Sequence, residues 1–198
     1  MRTKGTKALV LSSGGVDSAT CLAIAVRKHG KENVSSLTMF YKNNDLELHL
    51  AQQLANHYGI SHYTLNISGI YGGTELNQDT PFRGGLFLSI ATAFAEKKFP
   101  KEVCFIYFVK GTDKDKFVDS MTKSIILGTS GKKRVITPLA NLDKEQVIEM
   151  GLFLDVPYRY TWTCEINKHM ACGKCPACVE RKEAFRKNGI PDPIVYKK

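Results

Sequence analysis

The strongest constraint on the fold is an alternation of two kinds of segment. Residues 103–109, VCFIYFV, form a continuous apolar run, which is typical of a central strand covered on both faces. Other runs rich in β-branched residues precede and follow it, and segments with the 3.6-residue period of amphipathic helices lie between them. This alternation indicates βαβ units. The sequence therefore predicts an α/β fold with a doubly wound, mainly parallel sheet.

The predicted elements account for most of the chain. We predict strands at 7–12, 34–41, 61–67, 103–109 and 134–137, and helices at 16–29, 46–58, 85–98 and 114–127. A further helix is expected after the cap residue Asp143, with Gln146 completing a capping box and Gly151 ending the helix. The longest loop, 68–84, is expected to be functional, because long loops inside compact domains are seldom idle.

Length and charge limit the class of protein. At 198 residues, the chain suits one domain over residues 1–198. Its net charge of +9 suits nucleic acid or anionic small molecules such as ATP equally well. The lysines are spread along the chain, so we regard nucleic acid as an unlikely partner. Apolar stretches are too short for a signal peptide or a membrane span, so we expect a cytoplasmic protein that does not bind membranes.

A serine- and glycine-rich turn joins the first predicted strand to the first predicted helix. Residues 12–18 read SSGGVDS. Glycines let the chain reverse tightly, and the helix start then presents unpaired N–H groups and the positive end of its dipole. Such a turn is an anion site, and phosphate is its usual occupant. The string SGGVDS at 13–18 differs from the Walker and dinucleotide patterns and resembles the pyrophosphate loop of the N-type ATP pyrophosphatases.

The six cysteines fall into two groups. Cys21 and Cys104 lie in apolar elements and are expected to pack in the core. The other four have the spacing C-x7-C-x2-C-x2-C and are Cys164, Cys172, Cys175 and Cys178. In a cytosolic chain, such spacing points to metal more than to disulfides. Structural zinc is the favoured ligand, in a knot within residues 160–185, and an iron–sulfur cluster is the alternative.

Taken together, these motifs resemble the 7-cyano-7-deazaguanine synthase family. The segments that carry the resemblance are LSSGGVDSATCL at 11–22, GLFLSIATAFA at 85–95, TPLANLDKEQVIEMGLFLDVPYRYTWTC at 137–164 and ACGKCPACVERKEAF at 171–185. The resemblance covers nearly the whole chain. It implies an adenine nucleotide alpha hydrolase-like fold with a C-terminal zinc knot, and a zinc-containing, ATP-dependent carbon–nitrogen ligase.

The resemblance also implies a reaction. The carboxylate of 7-carboxy-7-deazaguanine would attack the α-phosphate of ATP, and ammonia would then displace AMP to give the amide and, with a second ATP, the nitrile. Ser13, Asp17 and Ser18 would be catalytic, and Asp17 would help to place Mg²⁺. The nucleotide would be held by Ser12, Ser13, Gly14, Gly15, Val16, Asp17 and Ser18. Many members of the family dimerise, so a homodimer is possible.

Three segments depart from the family pattern, and all are expected near the acceptor substrate. They are FYKNND at 40–45, PFRG at 81–84 and KGTDKD at 110–115. Tyr41 and Arg83 remain as candidate substrate contacts, and Trp162 is a candidate for stacking on a purine-like ring or for packing beside the knot. The adenylating half is thus expected to be intact and the acceptor half remodelled.

The departures leave other functions open. A divergent enzyme would stop at the amide or join the deazaguanine to another amine, such as one on a protein. A tRNA-thiolating enzyme would share the SGGxDS loop and explain the basic charge. A third alternative is a nucleotide sensor without turnover, against which the complete loop at 13–18 argues.

Overall fold

The computed structural model describes residues 6–41, 45–71, 80, 82–109 and 115–197. Five parallel strands form one sheet in the order β3-β2-β1-β4-β5. The strands are β1 (Thr6–Leu11), β2 (Val34–Phe40), β3 (Ser61–Asn66), β4 (Val103–Tyr107) and β5 (Lys133–Ile136). The predicted parallel α/β sheet is therefore confirmed. The apolar run contributes β4, which lies between the middle strand β1 and the edge strand β5.

Four helices cover the first face of the sheet. They are α1 (Val16–His29), α2 (Asp45–Tyr58), α5 (Lys144–Phe153) and α6 (Pro176–Lys187). The core on this face joins Ala8 and Val10 of β1 to Leu22 of α1, Ile148 of α5 and Phe185 of α6, all fully or almost fully buried. Burial of these side chains is the main force that holds the late helices against the early strands.

Two helices cover the opposite face. They are α3 (Arg83–Lys98) and α4 (Asp115–Gly128). Leu88 and Ala91 of α3 pack with Ile125 of α4 against the alternate β-strand residues Leu9 and Ile106. Helices on both faces make the sheet doubly wound, as predicted, and explain why the central strands are apolar on both sides. None of the helices within the described ranges is long and apolar enough to cross a membrane.

Helix α5 begins as predicted but ends later. The Asp143 side chain accepts a hydrogen bond from the Gln146 backbone N–H, and the Gln146 side chain accepts one from Asp143 N–H, which completes the capping box. The predicted end at Gly151 is wrong, because the helix continues to Phe153. Gly151 instead makes room for the hydroxyl of Tyr158, with which a side chain at this position would collide.

A buried ion pair stabilises the segment after α5. Arg181 of α6 is fully buried, and its guanidinium donates to both carboxylate oxygens of Asp192, at 2.8 and 3.0 Å. It also donates to Thr161 Oγ1 at 2.9 Å and to the Tyr158 carbonyl at 3.2 Å. The pair thus joins the segment before the cysteines, α6 and the C-terminal tail.

Candidate functional site

The SSGGVDS segment lies at the point where the strand order of the sheet changes direction. It connects β1 to α1, and the flanking strands β2 and β4 feed helices on opposite faces. Ligands of open α/β sheets bind at this switch point, beside the carboxyl ends of the strands. The sequence therefore places its glycines and hydroxyls at the position where the fold forms a crevice.

Two serines close the loop on itself. The backbone N–H and the Oγ of Ser13 each lie 3.3 Å from Ser18 Oγ, and Ser18 Oγ donates to the Gly15 carbonyl at 3.0 Å. Gly15 is the N-cap of α1, and the first turn of the helix carries Val16 and Asp17. The hydroxyls and the N-terminus of α1 therefore converge on one small region, which is the arrangement that binds anions.

Gly14 is required by its conformation and by its neighbours. Its φ of +73° lies in the left-handed region, and a Cβ there would stand 2.9 Å from the Glu47 carbonyl oxygen and 3.3 Å from Leu50 Cβ. Helix α2 thus packs directly on the loop. Burial also raises the pKa of the Glu47 carboxyl, which stands in the first turn of α2.

Ser12 lies at the base of the loop. Its N–H donates to the Leu37 carbonyl at 3.0 Å, and its carbonyl accepts from Thr38 Oγ1 at 2.6 Å, so β2 fixes its backbone. Its own hydroxyl is buried and has no hydrogen-bond partner among the described residues. A buried hydroxyl of this kind costs free energy unless a ligand or water satisfies it.

Asp17 meets a cation that the sequence analysis missed. Lys144, the first residue of α5, places its Nζ 2.6 Å from Asp17 Oδ1 and 3.8 Å from a carboxylate oxygen of Glu180 in α6. Both members of the Asp17–Lys144 pair are only partly buried. In the sequence, Lys144 stands out only by its position directly after the helix cap. No local pattern links it to Asp17, which lies 127 residues earlier in the chain.

The four spaced cysteines come together. The sulfur atoms of Cys164, Cys172, Cys175 and Cys178 all lie within 4.8 Å of one another. Cys175 is the N-cap of α6 and Cys178 lies in its first turn, so the start of this helix forms half of the site. Four thiolates at such separations can hold a metal ion. Cys21 and Cys104 are buried in the core, as predicted.

The environment of the sulfur atoms favours thiolates at part of the cluster. Backbone N–H groups of Lys174 and Cys175 donate to Cys172 Sγ at 3.4 and 3.2 Å and lower the pKa of that thiol. Burial raises the pKa of the Cys178 thiol, a shift that a bound cation would oppose.

Trp162 lies between the loop and the cysteines. Its indole Nε1–H donates to the carbonyls of Cys164 and Asn167, at 3.1 and 3.2 Å, and its ring packs against the cysteine cluster. Its backbone N–H donates to the Gly14 carbonyl at 2.9 Å. The packing role considered for Trp162 is therefore observed, while the stacking role is left as a prediction.

The other two candidate substrate residues lie on different elements of the fold. Tyr41 directly follows β2, which is the neighbour of β1 in the sheet, whereas Arg83 begins α3 on the opposite face. The Arg83 guanidinium lies 6.0 Å from the centre of the Phe87 ring. Three predicted features fall outside the described residues: Lys42–Asn44, most of the loop at 68–84, and the segment 110–114.

Comparison with known proteins adds the family. A model of the family described as "Queuosine biosynthesis protein QueC" matches residues 7–80 and 72–189. The chain belongs to this family. It is 32% identical to a 7-cyano-7-deazaguanine synthase of Methanospirillum hungatei, over 96% of the chain and 100% of that protein. It is 34% identical to one of Acetivibrio thermocellus, over 96% of the chain and 97% of the relative.

Solved structures support the same fold at greater distance. NMN synthetase from Francisella tularensis is 20% identical with a TM-score of 0.53, covering 94% of this chain and 78% of its own. The U34-tRNA thiolase NcsA from Methanococcus maripaludis, which has a [4Fe-4S] cluster, is 16% identical with a TM-score of 0.51, covering 94% of this chain and 67% of its own. At these identities, the likeness shows the fold alone.

Proposed function

We propose that the protein is an ATP-dependent ligase that adenylates the carboxylate of 7-carboxy-7-deazaguanine and transfers the acyl group to ammonia. The observation that carries the proposal is the closed Ser13–Ser18 loop at the N-terminus of α1, in a chain that belongs to the QueC family. The names of the relatives support the nitrile, 7-cyano-7-deazaguanine, as the final product.

In the proposed first step, a substrate carboxylate oxygen attacks the α-phosphorus of ATP, and the bond to the bridging oxygen breaks to release pyrophosphate. Ser13, Ser18 and the N–H groups of Gly14 and Gly15 hold the departing pyrophosphate, with Ser12 and Val16 completing the loop. Pre-arranged donors stabilise this charge without reorganisation. Ammonia then attacks the carbonyl carbon of the acyl adenylate, AMP leaves, and the amide forms. The amide oxygen then attacks the α-phosphorus of a second ATP and releases a second pyrophosphate. Cleavage of the C–O bond releases AMP with the former amide oxygen, and loss of both N–H protons gives the nitrile.

Asp17 is proposed to place the Mg²⁺ that accompanies ATP. Its carboxylate stands in the first turn of α1, directly beside the loop, which is the required position. Lys144 Nζ lies 2.6 Å from Asp17 Oδ1. When Mg²⁺ binds, the Asp17 carboxylate must therefore either contact both Lys144 and the metal ion or separate from Lys144. Lys144 adds a positive charge at the same edge of the loop and is suited to phosphate.

We propose that the cysteine cluster holds structural zinc. A tetrahedral zinc with Zn–S bonds of about 2.3 Å separates its sulfur atoms by about 3.8 Å, which is compatible with four sulfur atoms all within 4.8 Å. In a [4Fe-4S] cluster each cysteine binds a different iron, so the sulfur atoms stand farther apart. All four positions are protein ligands, so zinc would stabilise the fold and leave no open coordination position.

The metal is identified by elemental analysis of the purified protein, which should contain about one zinc per chain and be colourless. Cys175→Ser should lose the metal and lower the melting temperature, whereas Cys21→Ala, which removes a core thiol outside the cluster, should keep the metal. Brown protein containing iron and sulfide would contradict the zinc assignment.

Tyr41, Arg83 and Trp162 are proposed to contact the acceptor substrate. Arg83 suits a carboxylate or phosphate, and Tyr41 stands beside the loop at the end of β2. The indole N–H of Trp162 is already used, so only the face of its ring remains for stacking. We further propose that the chain acts as a single cytoplasmic domain, and gel filtration would test for a homodimer.

The family match favours the nitrile-forming reaction over the other functions considered. The tRNA-thiolation alternative has only a fold-level likeness in its support. Arrest at the amide and transfer to a protein amine depend on segments that largely lie outside the described residues. They remain possible outcomes of the test below.

The deciding experiment incubates the protein with Mg-ATP, ammonium and 7-carboxy-7-deazaguanine and identifies the small-molecule products by mass spectrometry. We expect the nitrile together with AMP and pyrophosphate. Ser18→Ala should lose about a hundredfold or more of AMP formation, while Ser124→Ala, an exposed serine of α4, should act as wild type. If the amide is the sole deazaguanine product, the nitrile assignment is wrong. Unchanged AMP release in Ser18→Ala would contradict the assignment of the loop.

A further inference from the structure

Trp162 connects the anion loop to the cysteine cluster. The backbone N–H of Trp162 donates to the Gly14 carbonyl at 2.9 Å, and a Cβ at Gly15 would lie 3.6 Å from the Trp162 carbonyl oxygen. The backbone of Trp162 therefore lies directly along the two glycines. Two positions later the chain reaches Cys164, the first cysteine of the cluster.

The side chain of Trp162 is held by the turn around that cysteine. Its Nε1–H is shared between the carbonyls of Cys164 and Asn167, at 3.1 and 3.2 Å. The backbone N–H groups of Asn167 and Cys172 in turn each donate to Cys164 Sγ at 3.3 Å. The position of Trp162 therefore depends on a turn whose centre is a cysteine sulfur of the cluster.

The hydrogen bond from Trp162 to the Gly14 carbonyl also orients the N–H of Gly15, which belongs to the same peptide group. A trans peptide is planar, and its C=O and N–H point in opposite directions. Fixing the Gly14 carbonyl towards Trp162 consequently fixes the Gly15 N–H away from it. Gly14 has φ of +73° and no side chain, so its peptides would otherwise rotate readily. A fixed donor costs less ordering on binding than a mobile one.

We propose that Trp162 is a positioning residue through which the cysteine cluster, when it holds metal, sets the affinity of the loop for pyrophosphate. The inference rests on the proposed function of the loop. It gives the cluster a role in nucleotide binding in addition to stabilising the fold, and it gives the Trp162 side chain a function that does not require contact with substrate.

The first experiment compares two variants that each remove one donor beside the cluster. Trp162→Phe keeps an aromatic ring but loses the indole N–H. Tyr196→Phe loses a hydroxyl that donates to Asp192 at 2.5 Å, while its ring keeps its packing against the residues around the cysteines. Inorganic pyrophosphate with Mg²⁺ is titrated into each protein and into wild type by calorimetry, with metal content and melting temperature measured in parallel.

We expect Trp162→Phe to leave the Gly15 N–H poorly aligned and to retain its metal. Pyrophosphate binding should weaken about tenfold, as it would on losing about one well-placed hydrogen bond between the loop and the ligand. Tyr196→Phe should lower the melting temperature without changing the affinity. Equal affinities in Trp162→Phe and wild type would overturn the coupling. A weaker affinity in both variants, in proportion to their loss of stability, would also overturn it, because it would reflect stability alone.

The second experiment uses the reciprocity of coupled binding. If metal at the cluster strengthens pyrophosphate binding, pyrophosphate must strengthen metal binding by the same factor. A colorimetric chelator in excess is used to measure the equilibrium metal occupancy of wild type with and without saturating pyrophosphate. The apparent metal affinity should rise in the presence of pyrophosphate, and Trp162→Phe should reduce the rise. An unchanged metal affinity would refute the coupling.

The fluorescence of the protein supplies a direct signal, since Trp162 is the one tryptophan of the sequence. Adding pyrophosphate to wild type should change its emission, which a purely structural tryptophan remote from the loop would not show. If wild type binds no pyrophosphate, the proposed function of the loop fails along with the coupling. If it binds but the variants and the metal affinity show no linkage, the coupling fails alone.

Discussion

Replacing Gly14 by alanine tests whether the close packing of the loop is needed for binding. The left-handed conformation at φ +73° costs an alanine about 1–2 kcal/mol. The stiffer unfolded chain favours folding and offsets this cost by up to about 1 kcal/mol. The added Cβ would also stand 2.9 Å from the Glu47 carbonyl oxygen. Because that atom belongs to the backbone of α2, relief requires the loop or the helix to move, at about 1–3 kcal/mol.

The matched control is Gly131→Ala. Gly131 has φ of +77°, and a Cβ there would meet nothing within 4 Å, so this variant carries the backbone cost without the close contact. We expect the free energy of unfolding, measured with urea, to fall by about 1 kcal/mol in Gly131→Ala and by about 2–4 kcal/mol in Gly14→Ala.

Pyrophosphate affinity should separate the two variants further. If the loop moves to relieve the contact, its donors lose their alignment, and a cost of about 1.4 kcal/mol corresponds to a tenfold weaker affinity. Gly131→Ala should bind as wild type, because Gly131 lies in the turn that enters the amino end of β5, whereas the loop follows the carboxyl end of the parallel strand β1. Equal losses of stability in the two variants, with unchanged pyrophosphate affinity in Gly14→Ala, would refute the reasoning.

Two further predictions concern stability. Arg181→Met should lower the free energy of unfolding by about 3–5 kcal/mol, because it leaves the carboxylate of Asp192 buried without its cation. Arg186→Met, at an exposed ion pair, should change the melting temperature little. A small effect of Arg181→Met would refute the role of this ion pair in holding the C-terminal tail. Burial lowers the pKa of His29 and of His62. From about pH 6.5 down to the lowered pKa values of the two histidines, the unfolded chain therefore binds more protons than the folded chain. Stability should be greatest above this range and fall as the pH decreases through it, with a smaller fall in His29→Gln. Urea titrations at several pH values that show no fall would refute this.

Local patterns in the sequence predicted the elements and the cluster residues well. The limits of α1 at Val16–His29 follow from the glycines before it and the glycine after it, and the capping box at Asp143 was identified from two residues. The four cysteines were identified from their spacing. These features depend on residues close together in the chain, which is why the sequence alone is sufficient to predict them.

The contacts that complete the site could not be predicted in the same way. The Asp17–Lys144 pair and the hydrogen bond from Trp162 to Gly14 join distant parts of the chain, and no periodicity or motif specifies such partners. Helix α6 was not predicted, although Pro176 at its first turn is a common start signal. The end of α5 was misplaced because Gly151 was interpreted as a helix terminator, whereas the glycine is needed for packing against Tyr158.

The hydrogen bond from Trp162 to Gly14 has a consequence for the order in which the protein is made. Gly14 leaves the ribosome well before Trp162, which follows all five strands of the sheet. Since chains emerge at about 5–20 residues per second, the loop waits roughly 7–30 seconds for its final partner. A nascent chain would therefore carry the SGGVDS segment without the contact that fixes it, and until Trp162 has emerged the segment should bind pyrophosphate more weakly than in the folded protein.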